Sequence, residues 1–348
     1  MTWMLYGANG YTGRLVAKLA VERGERPTLA GRSRERVAPL AAELDLPYRI
    51  FDLADEAATR AALSRVDTVA HCAGPFTATA VPMVAACVDA RTNYLDVTGE
   101  IAVFEDVFGY HGAAADAGIV LLPGSGFDVV PTDCLAALLA AEMPGARRLE
   151  LALSITGGAS PGTLKSAIGS AGQGTFVRAA GGLRRIRSGH HVEVPFPSGT
   201  ASAMPIPWGD LVTAHRSTGI EEIATYFRVP KMPALAQDLG TAMLKLPMAQ
   251  QIASALVERF VPGPSEKTLG RSRSELWGRV TGADGETVSA TLTGPGPYPM
   301  TADAVVRAVH RLESGVVRPG AHTPSSAFGA DFVRELDGVQ VSVAPSFL

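Results

Sequence analysis

Seven residues near the start of the chain constrain its fold more than any others. Gly7-Ala8-Asn9-Gly10-Tyr11-Thr12-Gly13 succeeds the apolar run Trp3-Met4-Leu5-Tyr6 and opens an amphipathic stretch, Tyr11 to Glu22. In that stretch Leu15, Val16, Leu19 and Ala20 share one helical face. Glycines spaced three apart between a strand and a helix let the chain turn tightly and let its backbone approach another group without a Cβ in the way. The helix start beyond them offers unpaired N–H groups and a partial positive charge, which suits an anion. A glycine triplet alone also serves an ordinary tight turn, so its meaning depends on the pattern around it.

That pattern is a repeating rhythm of short apolar runs and amphipathic stretches. Thr28-Leu29-Ala30, Tyr48 to Phe51, Thr68 to His71, Tyr94 to Val97 and Ile119 to Leu122 read as strands. Between them Arg34 to Glu43, Asp55 to Leu63, Ala80 to Asp89 and Ala102 to Ala117 read as helices. Strands alternating with helices imply right-handed crossovers and a parallel sheet of order 3-2-1-4-5-6. Any ligand is expected at the carboxyl ends of strands one and four. In that setting the glycine loop reads as a dinucleotide-binding fingerprint, with Gly7, Asn9, Gly10, Tyr11, Thr12 and Gly13 around a pyrophosphate.

The fold class is therefore α/β, with an N-terminal Rossmann domain over residues 1–124. Residues 125–299 have a different texture. Leu149 to Thr156, Glu221 to Arg228, Ser274 to Thr281 and Glu286 to Thr293 are longer strand candidates, the last two flanking the turn signal Gly282-Ala283-Asp284-Gly285. This predicts a second α+β domain with a mostly antiparallel sheet, serving substrate binding or oligomerisation. Residues 300–348 read as a C-terminal segment returning to the Rossmann domain. It holds a helix from Thr301 to Leu312 with Val305 and Val309 on its apolar face. A Gly- and Pro-rich surface tail runs from Gly315 to Gly329, then a closing strand at Gln340 to Val343.

The end of strand two selects the dinucleotide. An NAD site usually carries Asp or Glu there, to bind the ribose hydroxyls. This chain reads Gly31-Arg32-Ser33-Arg34, with no acid before Glu35. The Arg32 guanidinium and the Ser33 hydroxyl suit a 2′-phosphate, with Arg34 assisting, so NADP(H) is the expected cofactor. The competing reading makes both arginines solvated loop residues. Asp52, ending strand three, would meet the adenine amino group or cap the next helix. Ala73-Gly74-Pro75, after strand four, would lie beside the nicotinamide ribose or form a plain strand-ending turn.

Composition sets the outer limits. At 348 residues the chain makes about two domains. A net charge of −3 with no run of like charge excludes a nucleic-acid face. Cys72, Cys87 and Cys134 have no C-x-x-C spacing, so neither a disulfide framework nor a metal site is expected. No leader and no long apolar run appear, so a soluble, cytoplasmic protein without a transmembrane segment is the expectation. In the second domain Lys165 would orient a carbonyl or donate a proton, against the commoner fate of a solvated lysine. His190 and His191 read as exposed, and Trp208 as the wall of an apolar site or plain core. Residues 234–260 carry Leu235, Leu239, Met243 and Leu246 before Pro247 and Ile252, Leu256 and Phe260 after it. They would form a lid, a peripheral membrane contact or an ordinary helical hairpin. A homodimer would pair through strand edges of this domain.

Several blocks taken together resemble the saccharopine dehydrogenase-like oxidoreductases. They are Gly7 to Gly13, Ala30-Gly-Arg-Ser33, Ala73-Gly-Pro-Phe76, Tyr94-Leu-Asp-Val-Thr-Gly-Glu100 and Pro123 to Asp133. Pro205 to Asp210 and Gly320 to Pro324 are similar to the branch that includes trans-acting enoyl reductases. The resemblance implies that Tyr94 to Glu100, with Thr98 and Gly99, and Gly124 to Asp133 line the nicotinamide end of the cleft. Asp128 then becomes a second candidate proton donor beside Lys165, though hydrogen bonding at a helix start is an equal reading for Asp128 and Asp133. The implied reaction is hydride delivery to the activated C=C bond of an apolar, lipid- or carrier-linked substrate. A carbonyl or imine reductase, and a non-catalytic NADP-binding redox sensor, stay open as alternatives. A short-chain dehydrogenase would need Tyr-x-x-x-Lys, and no tyrosine here has that lysine.

Overall fold

The computed structural model describes residues 2–164, 168, 174–179, 181–186, 191–229, 247–261 and 263–345. Its contacts divide the chain into two compact units, residues 1–130 with 297–337 and residues 131–296 with 338–348.

The first unit runs β1 (Trp3–Tyr6), α1 (Tyr11–Glu22), β2 (Thr28–Gly31), α2 (Arg34–Leu44), β3 (Tyr48–Ile50) and α3 (Glu56–Leu63). It continues through β4 (Thr68–His71), α4 (Phe76–Ala90), β5 (Asn93–Asp96), α5 (Ile101–Gly109), α6 (His111–Ala117) and β6 (Val120–Leu122). The six strands are parallel in the order 3-2-1-4-5-6, as the alternation implies. β1, β4 and β6 are buried along their whole length, because helices cover both faces of a parallel sheet and their sequences are apolar without alternation.

Two helices differ from their expected bounds. α4 begins at Phe76, directly after Pro75, where the Thr79 hydroxyl bonds back to the Pro75 carbonyl. The stretch expected from Ala102 to Ala117 is interrupted at Tyr110, between Gly109 and Gly112, which weaken helical continuity.

The C-terminal segment returns to this unit. A helix, Pro297–Glu313, buries Val305, Val309 and Leu312, and Asp303 at its centre binds Arg23 at 2.7 Å and Arg307 at 2.6 Å. The tail expected on the surface is partly buried: Gly320 and Ala321 form a short parallel strand beside β6. Gly320 N–H donates to the Ile119 carbonyl at 2.8 Å and His322 N–H to Leu121 at 2.9 Å. Two residues are too short to show a period, so nothing local announced this strand. Residues 338–348 depart from the expectation that all of 300–348 rejoins the first domain. The last strand, Gln340–Pro345, pairs antiparallel with a strand of the second unit, because its pairing partners lie there.

The second unit begins with α7 (Val130–Glu142) and is built on a nine-stranded sheet. Its strands are β7 (Arg148–Ile155), β8 (Thr175–Ala179), β9 (Gly182–Ile186), β10 (Val192–Phe196), β11 (Gly199–Pro205), β12 (Glu222–Arg228), β13 (Arg273–Thr281) and β14 (Thr287–Pro295), with Gln340–Pro345 at one edge. β7 and β12 are parallel and the other pairings antiparallel. The Gly282 to Gly285 turn joins β13 and β14, closed by Gly282 N–H donating to the Glu286 carbonyl at 2.9 Å. One apolar cluster gathers Ala152, Val194, Phe196, Ala203, Ala224, Tyr226 and Trp277. Beside it Glu150 of β7 is held by Arg279 at 2.6 Å and Arg148 at 3.0 Å, while Arg279 also lies over the Trp277 ring.

Candidate functional site

Every loop that leaves the carboxyl end of a first-unit strand emerges at one edge of the sheet, where an open α/β sheet binds its ligand. The glycine loop is the most constrained of them. Gly7 has φ +83°, and a Cβ there would stand 2.7 Å from both the Ala73 nitrogen and the Cys72 carbonyl carbon. A Cβ on Gly13 would stand 2.3 Å from the Gly7 carbonyl oxygen. Gly7 and Ala8 N–H both donate to the Ala30 carbonyl, which ties the loop to β2. Gly10 caps α1 without any side-chain hydrogen bond, and no acid sits in the first turn. The result is a backbone cradle at a helix start, shaped for a phosphate pair. Tyr11 flanks it, its ring 4.8 Å from Tyr298 in an edge-on contact, and burial pushes its hydroxyl up to about 12.

At the end of β2, Arg32 is exposed and Ser33 is half-buried. The Ser33 hydroxyl donates to Glu35 at 2.8 Å, and the Arg34 guanidinium donates to the Tyr48 hydroxyl at 2.9 Å. Tyr6, beneath them, has its hydroxyl pushed up to about 12 by burial and by the nearby Asp52, against the opposing effect of Arg32. Asp52 is exposed and accepts the Ala54 N–H at 3.0 Å, a turn-forming bond, while the cap of α3 is Asp55, whose side chain accepts the Ala58 N–H at 3.0 Å.

The β4 end sits directly on the glycine loop. Thr79 organises it, donating its hydroxyl to the Ala73 carbonyl at 2.8 Å and the Pro75 carbonyl at 3.1 Å. His71 meets the same hydroxyl through Nε2 at 3.0 Å, so Nε2–H is the donor and Nδ1 is bare. Burial pushes His71 down to about 3, which keeps it neutral. Burial, with the nearby Asp96, pushes the Cys72 thiol up to about 12, which disfavours the thiolate.

At the end of β5, Asp96 is fully buried and holds the crossover together. Its carboxylate accepts the Tyr94 hydroxyl at 2.6 Å, Thr98 N–H at 2.9 Å and Gly124 N–H at 2.8 Å. Burial raises it to about 6, against the lowering effect of those three bonds. Gly99 lies against Asp128, where a Cβ would stand 2.9 Å from the carboxylate oxygen. Asp128 is itself pushed up to about 6 by burial. Glu100 accepts the Thr77 N–H at 3.1 Å and so occupies the first turn of α4.

The glycine loop, Arg32 to Arg34, Asp52, Ala73 to Pro75, Thr98, Gly99 and Asp128 thus all belong to strand-end loops of one sheet. Lys165 and His190 lie outside the described residues, as do 234–246. Sequence reasoning missed the contribution of Tyr298 and Thr301, from the far end of the chain. Thr301 accepts the Phe127 N–H at 3.0 Å and fixes the loop that carries Asp128. It also missed Thr79, whose role depends on which loops become neighbours.

A cradle that a Cβ would fill, at the head of a helix and beside a basic strand end, fits an NADP(H) pyrophosphate and 2′-phosphate. Residues 3–122 match the family model described as the saccharopine dehydrogenase NADP binding domain. That match makes NADP(H) the cofactor of this segment. The trans-acting enoyl reductase of Mycobacterium bovis (strain BCG / Pasteur 1173P2) is 36% identical over 138 residues, 37% of this chain and 33% of that protein. The protein of the same name from Mycobacterium ulcerans (strain Agy99) is 35% identical over 140 residues, with the same shares covered. The chain covers about a third of the length of these relatives. Among solved structures, the apo saccharopine dehydrogenase (L-Glu forming) of Saccharomyces cerevisiae has TM-score 0.65 and 14% identity, covering 99% of both chains. The homospermidine synthase of Legionella pneumophila, solved with NAD, has TM-score 0.67 and 11% identity, covering 99% of this chain and 91% of that one. At such identities the likeness is one of fold, and it extends through both units of the NADP-binding chain. Among the described residues no helix is long and apolar enough to cross a membrane.

Proposed function

We propose that the protein is an NADPH-dependent oxidoreductase that reduces an activated C=C bond in an apolar, lipid- or carrier-linked substrate. The reading is carried by one observation. Over 138 residues the chain is 36% identical to a protein named trans-acting enoyl reductase, and its cradle-building residues 3–122 match an NADP binding domain.

The chain's own residues divide the work among the strand-end loops. The backbone from Gly7 to Gly13 and the start of α1 hold the pyrophosphate, Arg32 and Ser33 hold the 2′-phosphate with Arg34 beside them, and Asp52 meets the adenine. Ala73, Gly74 and Pro75 lie along the nicotinamide ribose, with Thr98 and Gly99 beyond. When bound, NADPH supplies a hydride to the acceptor carbon. Asp128, raised to about 6, keeps its proton further towards neutral pH than an ordinary carboxyl, and Lys165 is the alternative donor. The helix Pro247–Phe260 exposes Met248, Ile252, Leu256 and Phe260 along one side, which supports an apolar ligand or a peripheral membrane contact for the second unit.

A second reading has its own support. Glu100 and Asp128 bring two carboxylates to the β5 and β6 ends, and carboxylates favour a cationic iminium over a neutral enoyl group. Reduction of C=N is therefore the rival reaction.

Titration with NADPH and NADH, monitored by cofactor fluorescence, tests the cofactor reading. A tenfold or larger preference for NADPH, lost in Arg32→Ala, is expected from a charge-assisted bond of roughly 1.5–3 kcal/mol. Equal affinity for both dinucleotides would overturn it. Oxidation of NADPH by a long-chain enoyl thioester and not by a cyclic imine then supports C=C reduction, and the reverse result overturns it.

A further inference from the structure

The end of β2 contains a contact that the cofactor reading does not use. Ser33 is the N-cap of α2, yet its side chain makes no capping bond to the helix. Its hydroxyl instead donates to Glu35 Oε2 at 2.8 Å. Glu35 also folds back onto its own backbone N–H, in the first turn of α2. Its carboxyl is held below the usual range by the Ser33 hydroxyl first, then by that N–H and by the Arg34 and Arg36 guanidiniums. A carboxylate thus already sits on the hydroxyl and the helix start that a 2′-phosphate requires. Arg32, one residue before Ser33, is exposed and forms no ion pair among the described residues.

We propose that Glu35 is the residue that limits the cofactor preference of this domain, occupying in the free protein the place that the 2′-phosphate takes. The proposal rests on the reading of residues 3–122 as an NADP(H) site. Two negative groups cannot share one hydroxyl donor, so a 2′-phosphate must displace Glu35 from Ser33. A ribose that ends in a 2′-hydroxyl meets no such conflict, because it can donate to the carboxylate where it stands. Arg32 and Glu35 therefore act in opposite directions. Arg32 rewards the phosphate and Glu35 opposes it, and the observed preference is the difference between the two.

Glu35→Gln tests this directly. The substitution keeps the side-chain length and an acceptor for Ser33, removes the charge, and lies on an exposed helix turn where folding is insensitive to it. NADPH and NADH are titrated against wild type, Glu35→Gln and Arg32→Ala at about pH 7.5, where the 2′-phosphate is doubly ionised. Glu35→Gln is expected to tighten NADPH about fivefold and to leave NADH unchanged or weaker, as fits removal of a like charge at a solvated site. The gain should shrink as salt is raised. If the NADPH to NADH ratio is unchanged or falls in Glu35→Gln while Arg32→Ala loses its preference, the inference fails and the cofactor reading stands. If wild type shows no preference and Arg32→Ala changes nothing, both fail together.

Discussion

The two units achieve close packing by different means. At the strand ends of the first, glycines are pressed against backbone: Gly7 against Cys72 and Ala73, Gly13 against the Gly7 carbonyl. In the second, Gly278 of β13 is pressed against side-chain methyls, with Leu139 Cδ1 at 2.7 Å and Leu135 Cδ2 at 3.2 Å from a Cβ. A leucine methyl moves by changing rotamer, whereas a carbonyl oxygen in a loop tied to two strands does not. The first region therefore tolerates almost no substitution, while the second tolerates whatever preserves its volume.

The sharpest way to break this comparison is Gly13→Ala. The added carbon meets the Gly7 oxygen, so the loop must open. A loss of at least roughly 3 kcal/mol in stability and of more than about 100-fold in NADPH affinity is expected, read by thermal unfolding and titration. Near-normal NADPH affinity in a folded variant would show that the cradle is not rigid.

Phe196→Ala probes the other unit. It removes a fully packed ring from the apolar cluster and should cost about 3–4 kcal/mol. NADPH affinity should stay within about twofold, since sites that share no partners act independently to within roughly 0.3–0.5 kcal/mol. A tenfold change would show that the two units are energetically coupled.

Asp128→Asn refines the role of the first unit's strand ends. The carboxyl is raised from 3.8 to about 6 in the folded chain. Its contribution favours folding below the unfolded value and is lost as pH rises through about 6. The asparagine variant should therefore match wild type near pH 4 and become more stable by about 1–2 kcal/mol above pH 7, measured by denaturant unfolding across pH. Its turnover should fall at least tenfold with NADPH affinity intact, as removal of a proton donor requires. Unchanged turnover would assign Asp128 to loop structure alone.

The smallest effect is expected from Gly278→Ala. The leucines of α7 can yield, so about 1 kcal/mol of stability is lost, and a larger loss would show that α7 is packed as rigidly as the glycine loop.

Local pattern carried much of the fold. The first-unit strands lie within a residue or two of their expected places because a run such as Trp3–Tyr6, buried on both faces, must be continuously apolar. The hairpin strands Thr175–Ala179 and Gly182–Ile186 were not legible. Gly182 and the arginines Arg178, Arg184 and Arg185 give no alternation, and the two strands exist by pairing with each other, the first also with β12. In the candidate site, Gly7 to Gly13 and Arg32 announced themselves by type and position. Thr301 did not, since a hydroxyl near the start of the C-terminal helix acquires meaning only when the Phe127 N–H comes within 3.0 Å of it.

Short-range physics therefore determined the order of strands and helices, the glycine cradle and the choice of a phosphorylated dinucleotide. Each depends on residue type and on neighbours a few positions away. Tertiary structure alone decided that Tyr298 packs on Tyr11, that Thr301 anchors Phe127, that Gly320 and Ala321 extend the first sheet and that Gln340–Pro345 joins the second. These are contacts between segments far apart in the chain. They form because a bare sheet edge and an unpaired N–H must find partners, and no periodicity records which partner they find.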